Sequence, residues 1–224
     1  PGDYPRHIAL YMRLLTGQAI RQADRVLAGS EFTRHELERF YRSAAHKTAV
    51  ISYCVGGAFQ AIDAAAQDDS VLSRYGIVPP YILAIGNIHP RKNLSRLLAA
   101  YARWRSEFPT PFPQMVWVGL PRWGSSELLQ QATAMGVILT GYVPQEHLPA
   151  LYRRASVFVY PSLYEGFGLP VVEAMACGTP VVCSSTTSLP EVVGDAALQV
   201  DPEDVKEMAT AMRSIYSDAA LSAE

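Results

Sequence analysis

No run of apolar residues in this sequence is long enough to span a bilayer, and its first residues show no secretory pattern. No internal repeat or low-complexity tract interrupts it either. The chain as written reads as soluble. Cysteine is scarce: Cys54, Cys177 and Cys183 form neither a C-x-x-C pair nor a disulfide framework, and two of them sit in or beside apolar runs. The expectation is reduced, buried thiols in a cytoplasmic protein. The five histidines include no H-E-x-x-H pattern and no close carboxylate cluster, so no metal site is expected. A G-x-x-x-x-G-K-[ST] loop is missing, which disfavours a nucleotide hydrolase. Net charge is only −2, which argues against a general nucleic-acid binder.

What is present is apolar material in short, regular parcels. Of the 224 residues, 49% are hydrophobic, enough for a sizeable core in one large domain or two small ones. Strand patterns fall at 81–85, 115–119, 137–140, 156–160, 180–183 and 197–200, and helical patterns at 94–107, 125–135, 145–153, 169–176 and 204–217. Short apolar strands alternating with helices predict an α/β fold, a doubly wound, Rossmann-like parallel sheet covered on both faces. Ahead of it, 5–23 reads as a basic amphipathic helix, 25–28 and 48–52 as short strands, and Ser30 as the N-cap of a helix running to about Arg42. Gly56 and Gly57, followed by an Ala- and Asp-containing stretch, suggest a linker. The expected division is 1–58, a linker at 59–70, and the main domain at 71–224. The proline-rich 109–113 reads as a stiff surface connection. Charge is uneven: residues 1–47 carry eight Lys and Arg against five Asp and Glu, and 195–224 carry two against seven.

The densest chemistry lies between Ser156 and Ser184. A strand at 156–160 leads into a Gly-rich loop at 162–168, a helix opening at Leu169 or Pro170, and another strand at 180–183. Proline suits a first helical turn because its missing N–H would be unpaired there. Gly166 and Gly168 thus stand at the positive end of a helix, a natural anion site. Two carboxylates flank it, Glu165 and Glu173, with seven residues between them. A site for anions alone has no use for two negative charges, so these carboxylates are expected to accept from hydroxyls. The implied ligand carries both phosphates and hydroxyls. At the end of the 81–85 strand, Arg91 and Lys92 supply the positive charge that a diphosphate needs, and Asn93 stands where it can cap the next helix.

Residues 165–173 (EGFGLPVVE) with 174–182 (AMACGTPVV) resemble the E-x7-E signature of retaining GT-B glycosyltransferases of family four. Residues 86–93 (GNIHPRKN), 140–144 (TGYVP) and 188–194 (SLPEVVG) fall in the order that family shows them. The resemblance covers most of the chain. It implies a GT-B C-terminal domain that binds a nucleoside-diphosphate sugar, a GDP- or UDP-sugar, as donor substrate with no other cofactor and no metal. It implies that Glu165 contacts the donor sugar, that Arg91, Lys92 and the helix start with Gly166, Phe167, Gly168 and Leu169 stabilise the leaving diphosphate beside Gly86, and that Glu173 holds the ribose hydroxyls. Tyr142 and Val143 would belong to a loop whose backbone meets the base. Phe167 reads also as a packing residue, and His89 as a loop residue able to offer one hydrogen bond. The 90–93 version (PRKN) resembles that of polysaccharide mannosyltransferases, which suggests a hexose such as mannose.

The resemblance also implies that residues 1–58 are the last units of an N-terminal acceptor domain whose earlier strands precede Pro1, so the chain is expected to be a fragment that binds donor and transfers sugar poorly. A carbohydrate or lipid-linked acceptor would come through that domain. The helix at 5–23 permits peripheral contact with the inner membrane face; the simpler expectation is a packing helix left uncovered. A noncatalytic nucleotide-sugar-binding module is the alternative function. It would not need Glu165.

Overall fold

Short parcels of β-branched and aromatic residues bounded by turn formers become strands because a fully covered parallel sheet buries both faces of each. The computed structural model describes residues 6–107, 112–121 and 126–217. A first unit holds α1 (Arg6–Gln22), β1 (Val26–Ala28), α2 (Glu31–Phe40) and β2 (Thr48–Val50). A second follows with α3 (Ala65–Ser73), β3 (Tyr81–Ile85), α4 (Leu94–Glu107), β4 (Gln114–Val118), α5 (Ser126–Ala134), β5 (Ile138–Gly141), α6 (Leu148–Arg153), β6 (Val157–Tyr160), α7 (Leu169–Ala176), β7 (Val181–Ser184), α8 (Leu189–Val193), β8 (Leu198–Val200) and α9 (Val205–Ser217). Residues 109–111 of the proline-rich connection, Ser125 of the 125–135 helix and Pro5 lie outside the described residues.

The second unit is a six-stranded parallel sheet of order β5-β4-β3-β6-β7-β8. Alternate residues of each strand feed opposite cores. Ile82, Met115, Trp117, Val157 and Val159 pack under α4 and α9 on one face, whereas Leu83, Val116, Phe158 and Cys183 pack with Leu151, Val171 and Leu72 on the other. Each such side chain contributes about 1.5–3 kcal/mol by leaving water. Chain order reverses between β3 and β6: β4 and β5 build outward on one side, β7 and β8 on the other. That reversal opens a crevice at the carboxyl ends of β3 and β6, where doubly wound sheets take their ligands. β3 and β4 run into Gly86 (φ 142°) and Gly119 (φ 144°), and a Cβ on Gly119 would stand 2.2 Å from the Gly86 carbonyl oxygen. Only glycine allows that crossing.

The first unit pairs β1 and β2 in parallel as a sheet of two strands. Ile20 is buried in it, while Leu10, Tyr11, Met12 and Leu14 of α1 stay exposed. Ser30 caps α2 as expected, its side chain accepting from the Thr33 N–H at 3.0 Å.

Several expectations need correction. Where composition suggests a linker at 59–70, Phe59 is 5% exposed within the large core and α3 begins at Ala65. α3 is anchored by two buried residues: Leu72, 1% exposed in that core, and Asp68, 2% exposed, which accepts from Arg153 of α6 through both carboxylate oxygens, at 2.8 and 2.6 Å. Cys54 is exposed; only Cys177 and Cys183 are buried. Asn93 is left-handed (φ 58°) and 2% exposed, and its side chain donates to other loops and accepts from the Arg96 side chain instead of capping a backbone N–H of α4. α8 has no counterpart among the expected helices.

Removing the acidic partner leaves a guanidinium uncompensated at a 12% exposed position. Asp68→Asn is expected to lower stability by about 3 kcal/mol, measured as the shift of the urea midpoint; a loss under about 0.5 kcal/mol, the level of an exposed pair, would mean that the pair does not hold α3.

Candidate active site

The loop after β3 is shaped by what Gly86 leaves out. A Cβ there would stand 3.0 Å from Lys92 Cε, so glycine lets the lysine fold back across the strand end. His89 Nδ1 accepts from the Arg91 N–H at 3.2 Å and opens a 3-10 turn over Pro90–Lys92. Asn93 then ties this loop to others: its Nδ2 donates to the carbonyl oxygens of Pro161 (3.1 Å) and Pro202 (2.6 Å), and its Oδ1 accepts from Arg96 (3.0 Å). The Leu163 N–H donates to the Arg91 carbonyl at 2.9 Å, which stitches the β3 loop to the β6 loop.

Between the two loops three donors converge on one oxygen. Glu165 Oε1 pairs with Arg91 Nη1 and Lys92 Nζ, each at 2.7 Å, and accepts from the Tyr160 hydroxyl at 3.0 Å. Lys92 also donates to the Tyr160 oxygen and lies 4.4 Å from the centre of its ring. Among the described residues no protein donor meets Glu165 Oε2. Burial pushes the Glu165 carboxyl upward, but Lys92 and Arg91 outweigh it and leave the group below its ordinary value. Burial pushes the Lys92 ammonium below its ordinary value, with Glu165 pulling the other way. Tyr160 is lifted well above the phenol range by burial and then by the Glu165 charge, so it keeps its proton and donates. The result is an ionised, partly desolvated cluster with two cations at the crevice.

The rest of the β6 loop leads into α7. Gly168 adopts φ 105°, and a Cβ there would stand 2.5 Å from Leu189 Cδ2. The Glu165 N–H donates to Thr187 Oγ1 (3.2 Å), and the Ser188 hydroxyl donates to the Glu165 carbonyl (3.0 Å), so the turn before α8 holds the loop from behind. Glu173 sits on α7, half-buried, and its Oε2 accepts from the Tyr152 hydroxyl at 2.9 Å. Burial lifts its carboxyl above the ordinary value, and the Tyr152 bond moderates the rise. Phe167 meets Tyr53 edge-to-face at 5.1 Å, as a packing residue does. Leu169 is 38% exposed at the helix start.

Arg91, Lys92 and Glu165 thus come together with Gly86, while Gly166 to Leu169 and Glu173 follow on the same loop and helix. Tyr142, 69% exposed, and Val143, 5% exposed, stand apart at the end of the edge strand β5. That is two strand spacings from β3, about 10 Å. Sequence reasoning missed Tyr160 and Tyr152, which read as core strand and core helix, and Thr187, whose left-handed φ of 62° leaves no compositional signal. Among the described residues no group of His, Cys, Asp and Glu suited to a metal ion occurs.

Residues 79–218 match the family described as glycosyl transferases group 1. The chain is similar to O-antigen chain mannosyltransferase B of Escherichia coli, 38% identical over 97% of this chain and 58% of that protein. It is also similar to the serotype-specific mannosyltransferase WbdA of Escherichia coli, 33% identical over 98% of this chain and 27% of that protein. The chain therefore spans only part of the length of these relatives. Among solved structures, Anabaena HepE in complex with UDP-glucose aligns with a TM-score of 0.80 at 22% identity, over 98% of this chain and 62% of that one. Sucrose-phosphate synthase from Thermosynechococcus elongatus aligns with a TM-score of 0.74 at 26% identity, over 95% of this chain and 54% of that one. With the six-stranded parallel sheet, the ordered motifs and a match over 79–218 in agreement, the chain belongs to the glycosyl transferases group 1 family and has the GT-B type of fold.

Proposed function

We propose that this chain is the donor-binding part of a retaining glycosyltransferase that moves mannose from a nucleoside diphosphate to an acceptor hydroxyl in polysaccharide synthesis. The observation that carries this reading is the pairing of two cations with one carboxylate, Arg91 and Lys92 on Glu165, in the crevice where strand order reverses. As the bond from the anomeric carbon to the phosphate oxygen breaks, the electron pair goes to the departing diphosphate. Arg91, Lys92 and the N–H groups at the start of α7 meet that growing charge. The cations are already aimed and partly desolvated, so the charge is met without a divalent metal. Glu165 Oε2 takes a hydroxyl of the donor sugar, and Glu173 takes the ribose hydroxyls while Tyr152 steadies its other oxygen. The gap of about 10 Å to the end of β5 suits a nucleotide whose base reaches the backbone at Tyr142 and Val143. The segment before Phe59 is read as part of the acceptor domain. The mannosyltransferases that resemble this chain support the choice of sugar.

Titration calorimetry with UDP, GDP and ADP, with and without EDTA, tests the site. One nucleotide is expected to bind saturably and without regard to EDTA, and Glu173→Ala is expected to weaken it about tenfold or more, since hydrogen bonds to a charged group are lost. No binding by the folded chain, or binding that EDTA abolishes, counts against the reading. In a complete protein with the acceptor domain, a noncatalytic module would tolerate Glu165→Ala.

The charge cluster also has a pH signature. Because the Glu165 carboxyl lies below its ordinary value, its contribution to stability is complete above the ordinary carboxylate range and is lost as pH falls through the depressed folded value. Glu165→Gln is expected to cost about 2 kcal/mol near neutrality, between the costs of breaking an exposed and a buried pair because Arg91 is partly exposed. Urea unfolding should show that difference closing in acid; a difference independent of pH would mean that Glu165 acts through packing.

A further inference from the structure

The far side of the 165–168 loop is gripped by the first unit. The hydroxyls of Ser30 (2.7 Å) and Thr33 (2.8 Å) both donate to the Gly166 carbonyl oxygen. The Glu191 carboxylate, on α8, accepts from the backbone N–H of Glu31 (2.6 Å) and Phe32 (3.1 Å), which lie in the first turn of α2 and have no partner within the helix. One carboxylate of the large sheet therefore caps a helix of the small one, with its negative charge at the positive helix end. Two ring contacts flank these bonds, Phe32 on Tyr164 and Tyr53 on Phe167. The approach is close: a Cβ on Gly166 would stand 3.2 Å from Thr33 Oγ1.

The grip has a directional consequence. A trans peptide unit is planar, so a carbonyl and the N–H that follows it point opposite ways. With the Gly166 carbonyl anchored on α2, the Phe167 N–H is turned to the other face of the loop. Among the described residues no protein acceptor meets that N–H.

We propose that Ser30, Thr33 and Glu191 form a clamp between the two sheets that fixes the peptide orientation of the donor loop, which makes Thr33 and Glu191 positioning residues for the nucleotide-sugar site. This rests on the donor-site reading above. Glu191 seats α2, the seated helix brings its hydroxyls to Gly166, and the anchored carbonyl presents the next N–H to the ligand. Closure of the two sheets and ordering of the loop then become one equilibrium. A ligand that needs the ordered loop draws the sheets together by as much as the clamp contributes to its affinity.

Hydrogen exchange on the ligand-free chain, with UDP and GDP titrations, tests this on Thr33→Val, Thr33→Ser, Glu191→Gln and the Thr33→Val/Glu191→Gln pair. The pair is expected to speed exchange in both 30–34 and 163–168 and to weaken the bound nucleotide about tenfold, the weight of one or two hydrogen bonds. Thr33→Ser keeps the hydroxyl and should stay near wild type. If the pair folds poorly, Glu191→Gln alone carries the comparison. Unchanged exchange at 163–168, unchanged affinity, or Thr33→Ser behaving as Thr33→Val overturns the clamp. Failure of the donor-site reading looks different: no nucleotide binding by wild type, or no effect of Glu173→Ala, in which case exchange alone decides the clamp.

Discussion

A single carboxylate oxygen, Oε1 of Glu165, is where the architecture converges. A buried charge is tolerable only with partners, and here the partners come from the loop after β3 and the end of β6. Those strands are neighbours because the order of the sheet reverses between them. The carboxylate therefore does two jobs at once. It offsets one of the two positive charges of Arg91 and Lys92 so that they can remain in a partly dry crevice, and it fixes their spacing before any ligand arrives. Tyr160 lets the cluster stay partly buried: its hydroxyl donates to the carboxylate, and its ring faces the ammonium.

Backbone devices place these side chains. Gly86 gives Lys92 room, Gly119 lets the end of β4 cross close to it, and Gly168 starts α7 in a left-handed turn against Leu189. Behind the loop, Thr187 and Ser188 hold Glu165 by its own backbone, so the residue is held at both its main chain and its carboxylate. The support is uneven in character. On the large-sheet side it is largely buried, whereas the contacts of Glu191 with α2 are exposed to water and therefore more easily screened. The rigid half of the site and the adjustable half meet at Gly166.

The strands were legible because parallel strands buried on both faces read as unbroken apolar runs; the strand at 81–85 and the helix at 94–107 keep their limits in the structure. α3 was not, because Asp68, which ties it to α6 through Arg153, looks like part of a solvated linker when its partner is 85 residues away. In the site, Glu165, Arg91, Lys92 and Glu173 could be picked out by residue type and spacing. That the first three bind one another could not, since 73 residues separate Lys92 from Glu165 and only the order of the sheet makes them neighbours. Tyr160 and Tyr152 were hidden for a related reason: aromatic residues in core elements read as packing, and their hydroxyls take meaning only from the carboxylates they reach.

Asn93 is specified twice over. Its left-handed backbone admits glycine or asparagine readily, and its buried amide donates to two carbonyl oxygens on separate loops. Glycine would keep the turn and lose the ties. Aspartate would keep the shape but set an acceptor against two acceptors, so the exchange of one nitrogen for one oxygen, the change that deamidation makes as a protein ages, would push the loop after β3 off its neighbours. The chemical lifetime of one amide thus bears on the lifetime of the whole crevice.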